Sequence, residues 1–323
     1  MERELVTREG VEFAAIKAGA LNGVGPVKAA RSAVRMAAGV ARALSLVASF
    51  KPDAVLLTGG FVGVPVAIAA KLRGVPSVVY LPDIEPGQSL KLMARFATKV
   101  AVTTDASAPY FDRRKMVVTG YPLRAAFATV TREEARTRLG IANDARVLLV
   151  TGGSKGALSL NRAVVAGIRS LLERCIVVQI TGAVSYDEVR AAHAALPPEL
   201  QTRWRVHAYL HDEMVDALAA ADLVVCRSGA SALGELPALG LPAILVPYPH
   251  AWRYQKVNAQ YLADKGAAVL LPDQELGEKL VGQVLAMLND PELLCAMRAA
   301  ALNVGRRDGA QRIASVLKEV IHD

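Results

Sequence analysis

A short apolar run, a glycine turn and a longer helical stretch recur in that order along this chain, and this recurrence limits its fold more than any other feature. Val55-Leu56-Leu57 runs into Gly59-Gly60, Val147–Val150 into Gly152-Gly153, Ile176–Ile180 into Thr181-Gly182, and Leu223–Val225 into Ser228-Gly229. Ser77–Tyr80 and Ala243–Val246, the latter ending at Pro247, read as further strands, and 27–49, 158–173 and 258–265 read as helices between them. Short strands that are apolar throughout, rather than alternating with polar residues, are covered on both faces. Helices alternating with such strands give parallel sheets with right-handed crossovers. The expectation is an α/β chain of two Rossmann-like doubly wound domains.

The division falls where the alternation pauses. Around 120–131 the chain passes through Gly120-Tyr-Pro-Leu-Arg124 and restarts at Thr131, with Glu134 three residues on, the spacing of a helix capping box. We place the domains at 1–125 and 126–323, with the last helix packing back on the first domain. At 323 residues, 53% hydrophobic and 21% charged, two cores of ordinary size are within reach. The longest uncharged stretch, Ala54–Ala70, holds Gly59, Gly60, Gly63 and Pro65, so it reads as strand, turn and helix start, not a membrane span. No signal peptide is visible, and any membrane contact is expected to be peripheral. Cys175, Cys226 and Cys295 are few, odd in number and far apart, which excludes a disulfide framework and a zinc site. The net charge of +8 is dispersed, without the dense stripe that marks a nucleic-acid binder, so no nucleic acid is expected as a partner.

Three motifs carry chemistry, each after an apolar strand. Thr151-Gly-Gly-Ser154-Lys-Gly-Ala157 bends sharply into a helix whose free N–H groups suit a diphosphate; it is not a P-loop, and an equivalent turn also serves simply to pack a helix on a strand. In Cys226-Arg-Ser-Gly-Ala-Ser-Ala-Leu-Gly-Glu235, Ser228 and Gly229 stand at a helix start. Glu235, about two helical turns in, is placed to accept both ribose hydroxyls, or else to sit on a solvated face. After Pro247-Tyr-Pro-His250, Gln255 and Asn258 lie three apart on one helix face, where two amides suit sugar hydroxyls; His250 reads equally as a capping or a catalytic residue. Phosphate loop, ribose carboxylate and sugar amides at strand ends of one domain describe a nucleotide-sugar site.

These residues resemble glycosyltransferase family 28. The likeness lies in Gly-Gly-Ser-x-Gly-Ala with Asn161, Asp222-Leu-Val-Val-Cys-Arg-Ser-Gly-Ala with Glu235, Gly240-Leu-Pro-Ala-Ile-Leu-Val-Pro and Gln255-x-x-Asn258-Ala, and more loosely in Gly59-Gly60-Phe61, Pro86-Gly87 and Gly120–Arg124. The resemblance implies a GT-B architecture and an inverting transferase that moves N-acetylglucosamine from UDP-N-acetylglucosamine to a lipid-linked muramoyl-pentapeptide in peptidoglycan synthesis. It implies a peripheral place on the cytoplasmic membrane face and neither metal nor other cofactor. By motif match, Glu235 would hold the ribose, and Gly153, Ser154, Ser228, Gly229 and Ala230 would face the diphosphate. Gln255 and Asn258 would hold the sugar, Arg124 would reach in from the hinge, and the backbone at His211 would meet the uracil.

The chain also departs from that pattern. The family's opening glycine-rich loop with a histidine is not found, and the first histidine is His193. The opening residues resemble a segment some 35 residues into a member, so the first domain is expected to lack a strand–helix–strand unit. The acceptor segment His-Glu-Gln-Asn reads Tyr80-Leu-Pro-Asp83, leaving Asp83 as the candidate catalytic base; Tyr121 and Tyr254 replace an asparagine and a glutamine. Two further readings stay open: the same donor with another acceptor, or a donor-binding protein without transfer. Lys91, Arg95 and Lys99, each four apart beside Leu92 and Phe96, read either as a solvated face or as a basic amphipathic face for anionic lipid.

Overall fold

The computed structural model describes residues 2–16, 18, 26–153, 156–250 and 253–322. Among the described residues, ten strands form two parallel sheets: β1 (Val55–Leu57), β2 (Ser77–Leu81), β3 (Lys99–Val102) and β4 (Met116–Val118) in the first, and β5 (Val147–Thr151), β6 (Ile176–Ile180), β7 (Trp204–His207), β8 (Leu223–Cys226), β9 (Ala243–Leu245) and β10 (Ala268–Leu270) in the second. Every pairing is parallel, as the alternation of strand and helix predicts.

The strand order differs between the two sheets. Among the described residues, the first runs β1-β2-β3-β4 without reversal; the second runs β10-β9-β8-β5-β6-β7, so its winding reverses between β5 and β8. Loops leaving those two strands diverge to opposite faces and open a crevice between them, the place where open α/β sheets bind ligands.

Burial on both faces explains the uniform apolar strands. In β5, Leu148 and Val150 join the core on one face, with Leu160, Val177 and Val225, while Val147 and Leu149 join the core on the other, with Val178, Val224 and Leu245. Each such side chain contributes about 1.5–3 kcal/mol by leaving water. The second of these cores also takes in Ile84 and Phe127, so apolar packing continues from the large sheet toward the smaller one. The C-terminal helix Gly309–His322 returns to the first sheet, where Ile313, Val316 and Val320 pack on Val78, Tyr80 and Ala101.

Several elements differ from the sequence reading. Strands β3, β4, β7 and β10, each three or four residues long, are not among the strands the sequence pattern reveals. The stretch 158–173 is two helices, Leu158–Ala166 and Ile168–Leu172, parted at Gly167, which lies against Val281 with no room for a Cβ. The helix around 91–95 spans Gln88–Phe96, so Lys99 opens β3, half-buried near Glu319, and does not continue a basic row. Leu92 and Phe96 face the core around Met93 and Val79, leaving Lys91 and Arg95 exposed. Ser32–Phe50, within the helix Pro26–Phe50, has the length and apolarity of a membrane span; its Ala43 and Val47 pack with Ala69 of the helix Gly63–Leu72. Thr131 caps the helix Arg132–Leu139 by accepting the Glu134 N–H at 3.3 Å, as its spacing predicts.

Candidate functional site

A cleft of about 710 Å³ occupies the switch point of the second sheet. Its walls come from the loop after β5 (Thr151–Gly153, Gly156, Ala157), from the loop after β8 (Arg227, Gly229, Ser231, Glu235), and from Tyr248 and Gln255 beyond β9. Such a volume lies within the range of small-molecule sites. Among the described residues, the charged groups lining it are Arg227 and Glu235.

The glycine loop is shaped by close approach. Gly153 and Gly156 have φ of +78° and +73°, and a Cβ on Gly156 would collide with the Thr181 carbonyl. Asn161 secures that neighbourhood: its Nδ2 donates to the Thr181 carbonyl at 2.8 Å, and its Oδ1 accepts from Gln179 Nε2 at 3.0 Å. Trp204 Nε1 completes the buried chain by donating to Gln179 Oε1 at 3.1 Å. The glycine loop is thus backed at Gly156 by satisfied buried polar groups. Ser154 and Lys155 lie outside the described residues.

Around Glu235 the structure corrects the picture of one long helix. Ala230–Leu233 is a single 3₁₀ turn, and Glu235 opens a separate short helix, Glu235–Leu239. The break falls at Gly234, where the Tyr121 ring lies so close that no Cβ would fit. Glu235 still reaches the cleft wall. Burial pushes its carboxyl up, while the Arg124 cation and a hydrogen bond from Ser231 hold it down. Arg124 itself is exposed and donates from Nη1 to the His211 carbonyl at 3.2 Å, tying the inter-domain segment to the segment before the helix Glu213–Ala220. His211 lines a different hollow with Tyr209, Arg205 and His207.

The two amides expected side by side part company. Gln255 lines the cleft: its Oε1 accepts from the Tyr248 N–H at 2.9 Å, and its Nε2 has no partner among the described residues. Asn258, one turn further along the helix Tyr254–Asp264, is fully buried and does not line the cleft. It donates to Asp83 Oδ1 at 2.8 Å and to the Ser228 carbonyl at 3.2 Å, and accepts from the Ile84 N–H at 3.2 Å. Ser228 is buried too, and its hydroxyl donates to the Gln255 carbonyl at 2.8 Å instead of facing the cleft. Asp83 lies at the junction of the two sheets, its carboxyl pushed up by burial and held down by the Asn258 hydrogen bond. Tyr121 lies between Asp83 and Glu235, and burial and both carboxylates push its hydroxyl up.

Sequence reasoning passed over Arg227, although it sits inside the quoted motif. Its guanidinium is nearly buried and donates to Asp273, to the Ser159 hydroxyl at 3.0 Å and to the Val246 carbonyl at 3.2 Å, beneath the Tyr248 ring. Ser159 also donates to Asp273 at 2.8 Å. This ring ties together the ends of β8, β9 and β10 and the helix after the glycine loop. Asp273 follows β10, a strand the pattern did not reveal.

Residues 147–313 match the C-terminal domain of glycosyltransferase family 28, and residues 1–102 match its N-terminal domain. The chain belongs to glycosyltransferase family 28. Among similar family members, UDP-N-acetylglucosamine--N-acetylmuramyl-(pentapeptide) pyrophosphoryl-undecaprenol N-acetylglucosamine transferase of Roseiflexus sp. (strain RS-1) is 39% identical over 99% of this chain and 82% of its own length. The protein of that name from Desulforudis audaxviator (strain MP104C) is 40% identical, over 99% of this chain and 87% of its own. Among solved structures, Acinetobacter baumannii MurG shares the fold with a TM-score of 0.78 at 24% identity, covering 99% of this chain and 88% of that one. UDP-GlcNAc 2-epimerase from Neisseria meningitidis, bound to UDP-GlcNAc, shares it with a TM-score of 0.67 at 13% identity, over 98% and 89%.

Proposed function

We propose that this chain transfers N-acetylglucosamine from UDP-N-acetylglucosamine to a lipid-linked muramoyl-pentapeptide, the reaction that its relatives' names describe. The observation that carries the reading is the switch-point cleft, which joins a glycine loop for a diphosphate, Glu235 for a ribose and the Gln255 amide for a sugar. Residues 126–323 would hold the donor, and 1–125 would take the acceptor and the membrane side. Gly153 and Gly229 at the cleft wall, with Ser154 and Ala230 beside them, would receive the diphosphate. Arg124 would steady the His211 segment against the base.

The chemistry then follows from the junction of the two sheets. An acceptor hydroxyl oxygen forms a bond to the anomeric carbon on the face opposite UDP. The carbon–oxygen bond to the diphosphate breaks, and its electron pair leaves with UDP. The hydroxyl proton passes to Asp83, whose burial keeps its proton affinity above that of an ordinary aspartate. Lys91 and Arg95, exposed on the helix Gln88–Phe96, would face anionic lipid at the cytoplasmic membrane surface.

Release of UDP, measured with the muramoyl-pentapeptide lipid and with other polyprenyl-linked or soluble acceptors, tests this. Turnover with the first supports the reading; turnover only with another acceptor replaces it. That second reading is motivated by Asp83 and Pro82 in the segment where the family carries asparagine and glutamine.

A further inference from the structure

The helix Tyr254–Asp264 belongs to the donor-side sheet, yet its first turns reach the loop after β2. Asn258 bonds to Asp83 and to the Ile84 N–H. The Arg253 guanidinium, just ahead of the helix, pairs with Glu85 at 2.7 Å. The Tyr254 hydroxyl lies beside Gly87, where the helix Gln88–Phe96 begins.

Asn258 is the centre of this contact. A side-chain amide has two hydrogens and one carbonyl oxygen. Here both hydrogens and the oxygen have partners, in a site closed to solvent. Both hydrogens are already donated, and the second lone pair of the oxygen lies inside a site closed to solvent, so a sugar hydroxyl would have to displace a bond or open the packing to reach this amide. The loop it grips is fixed on its other side as well. The Ile84 carbonyl accepts from Ser107 Oγ at 2.9 Å, and Thr103 Oγ1 donates to the Pro82 carbonyl at 2.9 Å. The remaining amide hydrogen goes to the Ser228 carbonyl, beside Gly229 in the cleft wall. One buried side chain therefore joins the donor cleft to the carboxylate across the junction.

We propose that Asn258 is a positioning residue for Asp83, not a ligand of the donor sugar: it fixes the carboxylate's place relative to the cleft through Ser228. This rests on the proposed transfer reaction and on Asp83 as its base. Removing the amide takes away the hydrogen bond that favours the carboxylate form, so Asp83 holds its proton to higher pH. The acid limb of the kcat profile then moves up. The other titratable groups around Asp83 stay in place: Tyr80 from β2, Tyr121 from the inter-domain segment with Glu235 behind it, and the Glu85–Arg253 pair.

The test uses the full chain with Asn258→Ala, Asp83→Ala and the double variant, with thermal melting to confirm folding. UDP and UDP-N-acetylglucosamine affinities are measured by calorimetry, and UDP release with the lipid acceptor is followed against pH. The expected result is an unchanged ratio of the two affinities in Asn258→Ala, with kcat lower by about 10–100-fold through misplacement of the base. The double variant should be no slower than Asp83→Ala, because both changes act through one carboxylate. Selective weakening of UDP-N-acetylglucosamine relative to UDP in Asn258→Ala would overturn the proposal, as would additive losses in kcat or an unmoved acid limb. Absence of transfer by the parent chain would count against the proposed reaction alone, since the affinity ratio still decides whether Asn258 holds the sugar. Should Asn258→Ala melt early, Asn258→Ser, smaller but polar, carries the same two readouts.

Discussion

At the C-terminal ends of the six-stranded sheet, the loops leaving β5 and β8 diverge and leave about 710 Å³ of open space between them. At the same ends of the four-stranded sheet, the loop after β2 is held shut: Thr103 and Ser107 grip it from its own domain, and Asn258 from the other. The physical difference is strand order. Reversal of winding creates a crevice without any special side chains, whereas a sheet wound one way leaves its loops to be positioned individually. The first region can vary its lining and keep a site. The second depends on single hydrogen bonds to place a single carboxylate.

Variants should separate the two regions by size of effect. Asp83→Asn removes the proposed base and should lower kcat by about 10²–10⁴-fold with little change in UDP affinity. A parallel loss of UDP binding would mean that the loop after β2 is part of the donor site. Gly156→Val adds a branched side chain at positive φ against the Thr181 carbonyl. It should cost several-fold to more than tenfold in UDP affinity and roughly 1–3 kcal/mol of stability, read by calorimetry and chemical denaturation. Glu235→Ala should weaken UDP by about 1–3 kcal/mol through the lost charge-assisted hydrogen bonds. Because its carboxyl is raised by burial, UDP affinity in the parent protein should fall with decreasing pH sooner than an ordinary glutamate would dictate, and that dependence should vanish in the variant. Lys91→Glu with Arg95→Glu should weaken sedimentation with anionic vesicles by about 1 kcal/mol per charge and leave UDP binding alone. Arg162→Ala, which breaks an exposed pair with Glu188, should leave the melting temperature and both readouts unchanged and is the control that ought to do nothing at either region.

Some of the cleft lining was legible in advance. Gly152, Gly153, Gly156, Gly229 and Glu235 follow the apolar strands β5 and β8 and line the cleft, and a glycine that must approach another backbone leaves a mark in the sequence. Gly156 is such a residue. Arg227 was equally visible as a letter but not as a role. Its meaning depends on Asp273, which lies 46 residues away, just beyond β10. The surroundings of Asn258 were hidden for a related reason. Spacing places it on the same helix face as Gln255, but does not say that its side chain is enclosed between Asp83, Ile84 and Ser228.

Local chemistry along the chain therefore determined the class of fold, the parallel pairing, most long strands and the residue types that suit a nucleotide-sugar. Each of these depends on neighbours a few positions away, through side-chain period, backbone freedom and helix capping. Only the tertiary structure decided the strand order, the position of the switch point and the partners of the buried amides. Those depend on contacts between residues as distant in sequence as Asp83 and Asn258, where one helix meets the loops after β2 and β8. The sequence supplies the groups, and packing decides which of them meet.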